Sequence, residues 1–451
     1  MTGPFARVDV LPWWRSESRS ITAVKTRAQT FRYLGLDVAE TSLTGHFDLD
    51  GRQFHETVVF ENVGDLRAPA TASVAQLWYL LAGLSYYKAG AAHEVDLGNT
   101  PVGEKGLQFF SNALHDGLGE FSYRNELPLD DVVIHGGAPV EQLLPYLDQQ
   151  RVLIPFGGGI DSVVSVAHVA PQVSAALFVV SPASGRFAPL EETAHVTGLD
   201  VVRATRHLDP QILKGDPSFF NGHVPVTAMV SMLAVIASIS SGRGGVVMSN
   251  EHSSSAPNVV WNDQAINHQW SKSFQAEVLL AEAVEERIGS DFTIASFLRN
   301  RSELWVAQEF AKLTSYLPVF RSCNRAFAQD ANNRASTWCG ECDKCLFIHL
   351  ILAPFVSRNE LREIFHAEPV ANPALLASLE AMVGIGLQFK PFECVGDPDE
   401  CAIALQQLVT LPEWQHETAL RELSMKVSPD RSFEELLQSQ GASRVPTHWI
   451  R

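Results

Sequence analysis

The chain has 451 residues, which at roughly 100 to 200 residues per domain allows two or three domains and excludes a minimal stapled module. Lys plus Arg number 34 against 51 for Asp plus Glu, a formal charge of -17, which disfavours a general polynucleotide or anionic-lipid binder. With 46% apolar and 19% charged residues, the composition is that of a folded soluble protein and not of a disordered chain.

The first twenty residues carry Trp13 and Trp14 among Arg15, Glu17 and Arg19 and lack the apolar core of a signal peptide. From Phe31 to about Asn62 the sequence alternates as paired strands do, with Asp50-Gly51 closing the turn that begins at Phe47. Asp48 and Asp50 before Gly51 faintly suggest a calcium loop, but the later ligand positions are missing and a hairpin turn is expected. Ser73 to Ala89 is helical in period, and Gly98 to Pro128 reads as loop-rich. These features predict an N-terminal α+β domain over residues 1–148.

Near residue 149 the pattern changes to short apolar runs alternating with helices, the signature of a parallel sheet with crossover helices. Strands are predicted at Arg151–Phe156, Ala175–Ser181, Val201–Leu208 and Gly245–Ser249, with helices near Asp161–Val169, Leu190–Gly198 and Val224–Ser240. The uncharged stretch from Pro217 to Gly242 is broken by Pro225, Thr227, Ser231, Ser238 and Ser240, so it predicts a buried helix and no membrane span. A domain over 149–320 is followed by a mainly helical region, 321–451, interrupted by Pro369, Pro373, Pro391, Pro398 and Pro412.

All six cysteines lie at 323, 339, 342, 345, 394 and 401, a clustering that suits a metal site better than a disulfide framework and agrees with a reducing cytoplasm. Cys339, Cys342 and Cys345 are spaced to point three thiolates inward, and Cys323 supplies a fourth. Four sulfurs close the tetrahedral shell of a structural Zn²⁺; an iron–sulfur cluster is the main alternative.

The segment Val152-Leu153-Ile154-Pro155-Phe156 runs into Gly157-Gly158-Gly159-Ile160-Asp161-Ser162 and then an apolar helix. Strand, glycines and helix start form a place where backbone N–H groups can converge on phosphate oxygens. Ser162 can donate its hydroxyl there, and Asp161 can hold Mg²⁺ or orient the helix. For three glycines alone, a plain connection capped by Asp or Ser is the favoured reading. No Walker-type GxxxxGK segment is present, and no GxGxxG follows the strand. After the Gly245–Ser249 strand, Asn250, Glu251 and His252 fall where ligands gather in open parallel sheets. His268 and Lys272 follow in a polar loop, and Lys272 can neutralise charge developing on pyrophosphate.

The order of residues in the glycine loop resembles the SGGxDS loop of the PP-loop ATP pyrophosphatase superfamily, with Gly157 where that family usually has Ser. The resemblance implies an adenine nucleotide alpha hydrolase-like α/β core, with the phosphates of ATP at Gly157, Gly158, Gly159, Asp161 and Ser162 and with Asn250 also on the nucleotide. The cysteine motif is similar to the zinc site of PP-loop enzymes related to the 7-cyano-7-deazaguanine synthases. Together with SNEHSSS (249–255), NHQWSKSFQAE (267–277), WCGECDKC (338–345), KPFECVG (390–396) and EFSYRNE (120–126), these motifs resemble the ATP-dependent UDP-N-acetylmuramoyl-L-alanyl-L-glutamate epimerases of bacterial cell-wall synthesis. That family turns the terminal L-Glu of the UDP-linked muramoyl dipeptide into D-Glu, with ATP going to AMP and pyrophosphate in the presence of Mg²⁺.

The chemistry explains the need for ATP. The α-proton beside a carboxylate is a poor acid, whereas adenylation removes that charge and makes the carbonyl an electron sink, so that a general base can take the proton and hydrolysis then releases product. An oxazolone formed by the preceding alanyl amide oxygen is an alternative to a direct enolate. Candidate bases by residue type and position are, in order, His252, Glu251, Lys272 and His268. The substrate's diphosphate and carboxylates call for local positive charge, and Arg321, Arg325 and Arg334 near the cysteines, with Arg124 in the N-terminal region, are the candidates.

Two other readings remain open at this level. One is another PP-loop adenylating enzyme, an amide- or nitrile-forming ligase or a tRNA-modifying enzyme; the other is a nucleotide sensor without catalysis. The pathway implies an upstream ligase that adds L-Glu, although nothing in the sequence supports direct contact with it.

Overall fold

The computed structural model describes residues 25–327, 335, 337–385, 392, 393 and 395–450. The N-terminal tryptophans, Arg334 and Cys394 lie outside the described residues. The described chain opens with an antiparallel meander, β1 (Thr30–Val38), β2 (Ser42–Leu49) and β3 (Arg52–Glu61). Its period-2 pattern turns Phe31, Tyr33, Phe47, Phe54 and Val58 inward, each buried. The β2–β3 turn is tighter than the sequence suggests, because both strands run up to a two-residue Asp50-Gly51 loop with φ of 47° and 88°. Asp50 accepts the Gln29 and Thr30 N–H groups at 2.8 and 2.9 Å, and Asp48 accepts the Gly51 N–H at 3.0 Å. Those carboxylates hold backbone, as expected of a hairpin.

Next come α1 (Pro69–Gly90), β4 (Glu94–Asp96), α2 (Glu104–His115), α3 (Gly119–Asn125) and β5 (Val133–His135). The stretch expected to be loop therefore contains two helices. Gly106, Phe109, Phe110, Ala113 and Leu114 are the buried face of α2, an i, i+3, i+4 stripe hidden in the sequence by flanking glycines and charges. Glu286, from far along the chain, caps α2 by accepting the Glu104, Lys105 and Gly106 N–H groups at 2.7, 3.1 and 3.1 Å.

The second half of the sheet alternates strand and helix: β6 (Asp148–Pro155), α4 (Ile160–Val169), β7 (Ser174–Pro182), α5 (Ala188–Thr197), β8 (Val201–His207), α6 (Pro210–Leu213), α7 (Val226–Ser240) and β9 (Arg243–Met248). A short hairpin, β10 (Val259–Trp261) and β11 (Gln264–Ile266), precedes α8 (Phe274–Ile288) and β12 (Thr293–Ser296). The ten-stranded sheet has the order β12-β9-β6-β7-β8-β3-β2-β1-β4-β5. The run β12 to β8 is parallel, as the sequence predicts for its first four strands, and β3 joins it antiparallel to β8. One sheet thus crosses position 149.

Alternation along β6 sends Leu153 to one core with α1, α7 and α8, and Val152 and Ile154 to another. The second core is covered by α4, α9 (Glu303–Ala311), α10 (Asp343–Leu352), α11 (Arg358–Phe365), α12 (Leu376–Met382), α13 (Pro398–Leu408), α14 (Thr418–Ser424) and α15 (Phe433–Leu436). Among the described residues no helix is long and apolar enough to cross a membrane.

Candidate functional site

Chain order and sheet order reverse at β6, which has β7 on one side and β9 on the other. A crevice at the carboxyl ends of β6 and β9 follows from that reversal, since the two connections leave toward opposite faces. The glycine loop and the 249–252 segment meet there. Gly158 has φ of 73°, open to glycine at little cost, while a Cβ on Gly157 would meet nothing within 4 Å. No side chain caps the first turn of α4, and Ser162 Oγ turns back to the Gly159 carbonyl at 3.1 Å. The Arg321 N–H donates to the Gly158 carbonyl at 3.1 Å, so the segment carrying Cys323 is seated on the loop.

Asn250 is clamped to β12: its N–H donates to Ser296 Oγ at 2.5 Å, and that hydroxyl donates to the Asn250 carbonyl at 2.6 Å. Glu251, Glu303 and Glu400 are all buried, and Glu303 feels the charges of the other two. Burial, then the charges of Glu251 and Asp161, push the Glu303 carboxyl well above the usual range, with Lys344 acting in the opposite sense and Glu400 adding to the rise. Glu400 is itself pushed up to about 8 by burial and by Asp397. The loop is therefore flanked by more carboxylate than the buried space comfortably ionises.

Arg299 organises the neighbouring turns. Fully buried, it donates to Glu277 Oε2 at 2.9 and 3.1 Å, to the Glu251 carbonyl at 3.0 Å and to the Lys272 carbonyl at 2.7 Å. Ser254 Oγ lies 2.7 Å from the Glu251 carbonyl and 3.0 Å from that of Lys272. The backbones around His252 and Lys272 are thereby locked together. The His252 N–H donates to the Arg301 carbonyl at 2.9 Å, and its ring packs by Gly441, with burial and then Arg431 lowering its pKa.

His268 lies in a different setting. Its Nδ1 is hydrogen-bonded to Glu120 Oε2, and Arg124 Nε is paired with Glu120 Oε1. His223 Nδ1 lies 3.9 Å from Glu120 Oε2, and the two imidazole centroids are 4.4 Å apart. Burial raises the Glu120 carboxyl, but the His268 hydrogen bond and the charges of His268, His223 and Arg124 outweigh it and hold it below the usual value. Burial, reinforced by His268, lowers His223 to about 4, so this ring is neutral near neutrality. Around them, Tyr123 packs on Phe392 at 5.4 Å, Arg124 lies 4.9 Å from the Phe392 ring, and Gln269 donates to the Val395 carbonyl at 3.2 Å. Segments distant in sequence thus form one wall.

The cysteines converge as their spacing predicts. The Sγ atoms of Cys323, Cys339, Cys342 and Cys345 all lie within 4.8 Å of one another, with Cys339 and Cys342 at 3.6 and 3.4 Å from Cys345. Thiolates about 2.3 Å from one tetrahedral ion stand about 3.8 Å apart, so the cluster has the size of a single-ion shell. Hydrogen bonds with Cys323 and Cys339 are the largest causes that push the Cys342 and Cys345 thiols up.

Of the predicted residues, the structure places Gly157, Gly158, Gly159, Asp161, Ser162, Asn250 and Glu251 after the carboxyl ends of the adjacent strands β6 and β9, with Arg321 bonded to the glycine loop. Arg325 instead pairs with Glu341 at 2.9 Å, both exposed. Arg124 is committed to Glu120. Sequence reasoning missed Glu120 and His223 as partners of His268 and missed Arg299 entirely. Glu120 stood in a quoted motif, but nothing local in the sequence links it to a histidine 148 positions away.

A family model described as the MurL N-terminal domain matches residues 22–297, and one described as the MurL C-terminal domain matches 319–437. The chain is 37% identical over 358 residues to a UDP-N-acetyl-alpha-D-muramoyl-L-alanyl-L-glutamate epimerase of Salinispora tropica, covering 78% of this chain and 76% of the relative. It is 36% identical to one so named from a Micromonospora species, covering 88% and 90%. A third, from Xanthomonas oryzae pv. oryzae, is 31% identical, covering 94% and 96%. No solved structure matches. The chain belongs to the MurL family of UDP-N-acetyl-alpha-D-muramoyl-L-alanyl-L-glutamate epimerases.

Proposed function

We propose that this chain inverts the terminal L-Glu of UDP-N-acetylmuramoyl-L-Ala-L-Glu by adenylating its carboxylate with ATP, exchanging the α-proton and hydrolysing the activated product, releasing AMP and pyrophosphate. The observation that carries the reading is the Gly157–Ser162 loop at the sheet's reversal point, where a strand and glycines, in a residue order that resembles the PP-loop, run into an uncapped helix start. Gly157, Gly158, Gly159 and Ser162 would take the phosphates, Asn250 the nucleotide, and Arg321 and Lys272 the charge developing on pyrophosphate.

The charges of Glu251, Asp161 and Glu400 all act on the buried Glu303 carboxyl, and Mg²⁺ beside the loop would offset them. Asp161 and Glu251 would hold it, and it would supply charge neutralisation to the triphosphate. Zn²⁺ suits the four sulfurs of Cys323, Cys339, Cys342 and Cys345, and its contribution would be to fix the Arg321–Cys323 segment against the loop. After activation, the base is drawn from His252, Glu251, Lys272 and His268, all in the β9–α8 connection.

The test is incubation of the purified protein with the dipeptide substrate, ATP and Mg²⁺ in D₂O. D-Glu carrying Cα deuterium, formed with stoichiometric AMP, is the expected result. Inversion without AMP would overturn the adenylation chemistry, and AMP without inversion would overturn the assigned substrate.

A further inference from the structure

The connection between β9 and α8 carries four residues able to take a proton, and their settings differ. His252 packs against the C-terminal region beside Gly441, and Glu251 is enclosed among other carboxylates. His268 carries a buried carboxylate partner, Glu120, on its ring nitrogen Nδ1. Glu120 comes from α3, His223 from the loop before α7 and His268 from the loop after β11, so three separate segments are folded to make one cluster. The two rings keep partial access to solvent, with side chains 25% and 13% exposed, whereas the carboxylate is 6% exposed. That is a cluster buried at its base and open at its rings.

We propose that His268, oriented through Nδ1 by the buried Glu120 carboxylate, takes the α-proton of the activated glutamyl residue, with Glu120 as its positioning residue. This rests on the function proposed above. An ionised carboxylate can only accept, so the shared proton sits on Nδ1 and the imidazole lone pair is on Nε2, at the far side of the ring. In the step, the Nε2 lone pair takes the α-proton. The electrons of the broken C–H bond form the Cα–C double bond, and the carbonyl π pair moves onto oxygen, giving an enolate. His268 becomes an imidazolium, whose positive charge Glu120 offsets. A solvent-derived proton added to the other face of Cα, with the enolate oxygen pair re-forming the carbonyl, completes inversion, and loss of the captured proton from His268 to solvent resets the base. His223, a neutral ring beside it, adds no positive charge to oppose that protonation.

The same three side chains have the composition of a divalent-cation site. Arg124 argues against that use, because its guanidinium is already paired with Glu120 and would repel a cation held by the same carboxylate. The geometry is that of a hydrogen-bonded dyad with a cationic clamp.

The experiment separates activation from proton transfer in the full-length protein. Substrate-dependent exchange of labelled pyrophosphate into ATP reads adenylation, and Cα deuterium from D₂O reads proton transfer. His268→Ala is expected to lose at least 100-fold in deuterium incorporation while keeping pyrophosphate exchange within threefold of wild type, and added imidazole restores part of the deuterium signal. Glu120→Gln is expected to show the same split, at least tenfold in deuterium with pyrophosphate exchange retained, and Glu120→Asp to recover part of it. Retained deuterium incorporation in His268→Ala, or equal loss of both signals in a variant with wild-type circular dichroism and melting temperature, overturns the proposal. A second bound metal equivalent that disappears in His268→Ala overturns it in favour of a cation site. If wild type shows no pyrophosphate exchange, it is the adenylation reading that fails; the dyad then stands or falls on deuterium incorporation alone.

Discussion

Gly159 and Ser322 approach so closely that a Cβ on the glycine would lie 2.5 Å from the serine Oγ. Next to them the Arg321 N–H is bonded to the Gly158 carbonyl, and Cys323 follows immediately. The head of α4 and the cysteine cluster are therefore mechanically joined, although 164 positions separate Gly159 from Cys323.

Loss of one sulfur ligand should be felt at the glycine loop. One metal ion per wild-type chain is the expectation from the four-sulfur shell, and Cys345→Ser is expected to abolish its binding and to raise the KM for ATP about tenfold, a loss of about 1.4 kcal/mol. Elemental analysis and ATP titration on the same preparation check this. A metal-free variant with unchanged KM would show that the cluster does not support the loop.

The three glycines should not respond alike. Gly158 sits at φ of 73°, so Gly158→Ala carries a left-handed penalty of about 1–2 kcal/mol and should lower both the melting temperature and pyrophosphate exchange. Gly157→Ser has open space at its Cβ and should stay within about 0.5 kcal/mol of wild type. Chemical denaturation of the two variants side by side separates backbone strain from space.

Arg206 donates to Glu56 at 2.5 and 3.1 Å across the joint between β3 and β8, with Tyr86 Oη 3.1 Å from the same carboxylate. Arg206→Met leaves Glu56 buried without its cation and should cost about 3–5 kcal/mol in unfolding free energy. The double variant Glu56→Leu with Arg206→Met should recover much of that. A double variant as unstable as the single one would mean that the pair itself, and not the stranded charge, sets the cost.

His349 is wholly buried against Phe365 and Trp414, and burial lowers its pKa from 6.5 to about 3. Below pH 6.5 the unfolded chain takes up a proton here that the folded chain refuses until about pH 3. Stability from this residue is therefore present above pH 6.5 and lost as pH falls, at up to about 1.4 kcal/mol per pH unit. His223, lowered to about 4, acts in the same direction, and so does Glu120, whose depressed pKa withholds protons from the folded state. Urea unfolding at pH 7 and pH 5 should show the loss, and His349→Phe should reduce it. An identical pH slope in that variant would remove His349 from the account.

Much of the parallel half of the sheet was legible in the sequence. The apolar runs at 151–156, 175–181, 201–208 and 245–249 coincide with β6 to β9 within a few residues, and the uncharged helix is α7. Four-residue β12 and three-residue β4 and β5 were not, because so short a strand shows no alternation. The stripe of α2 was present at Gly106, Phe109, Phe110, Ala113 and Leu114 but was masked by the glycine-rich composition around it.

What the sequence determined by itself is whatever depends on spacing along the chain: the strand, glycines and helix start at 152–163, a hairpin that turns at Asp50-Gly51, and the cysteine spacing at 339, 342 and 345. Periodicity and ligand spacing are local, so they are set before any long-range packing. Tertiary structure alone decided that β3 pairs with β8, that Arg299 binds Glu277 and the turns at Glu251 and Lys272, and that Glu120 meets His268 and His223. A buried charge requires a partner, but with 51 acidic residues in the chain only the folded packing selects which one desolvates beside it.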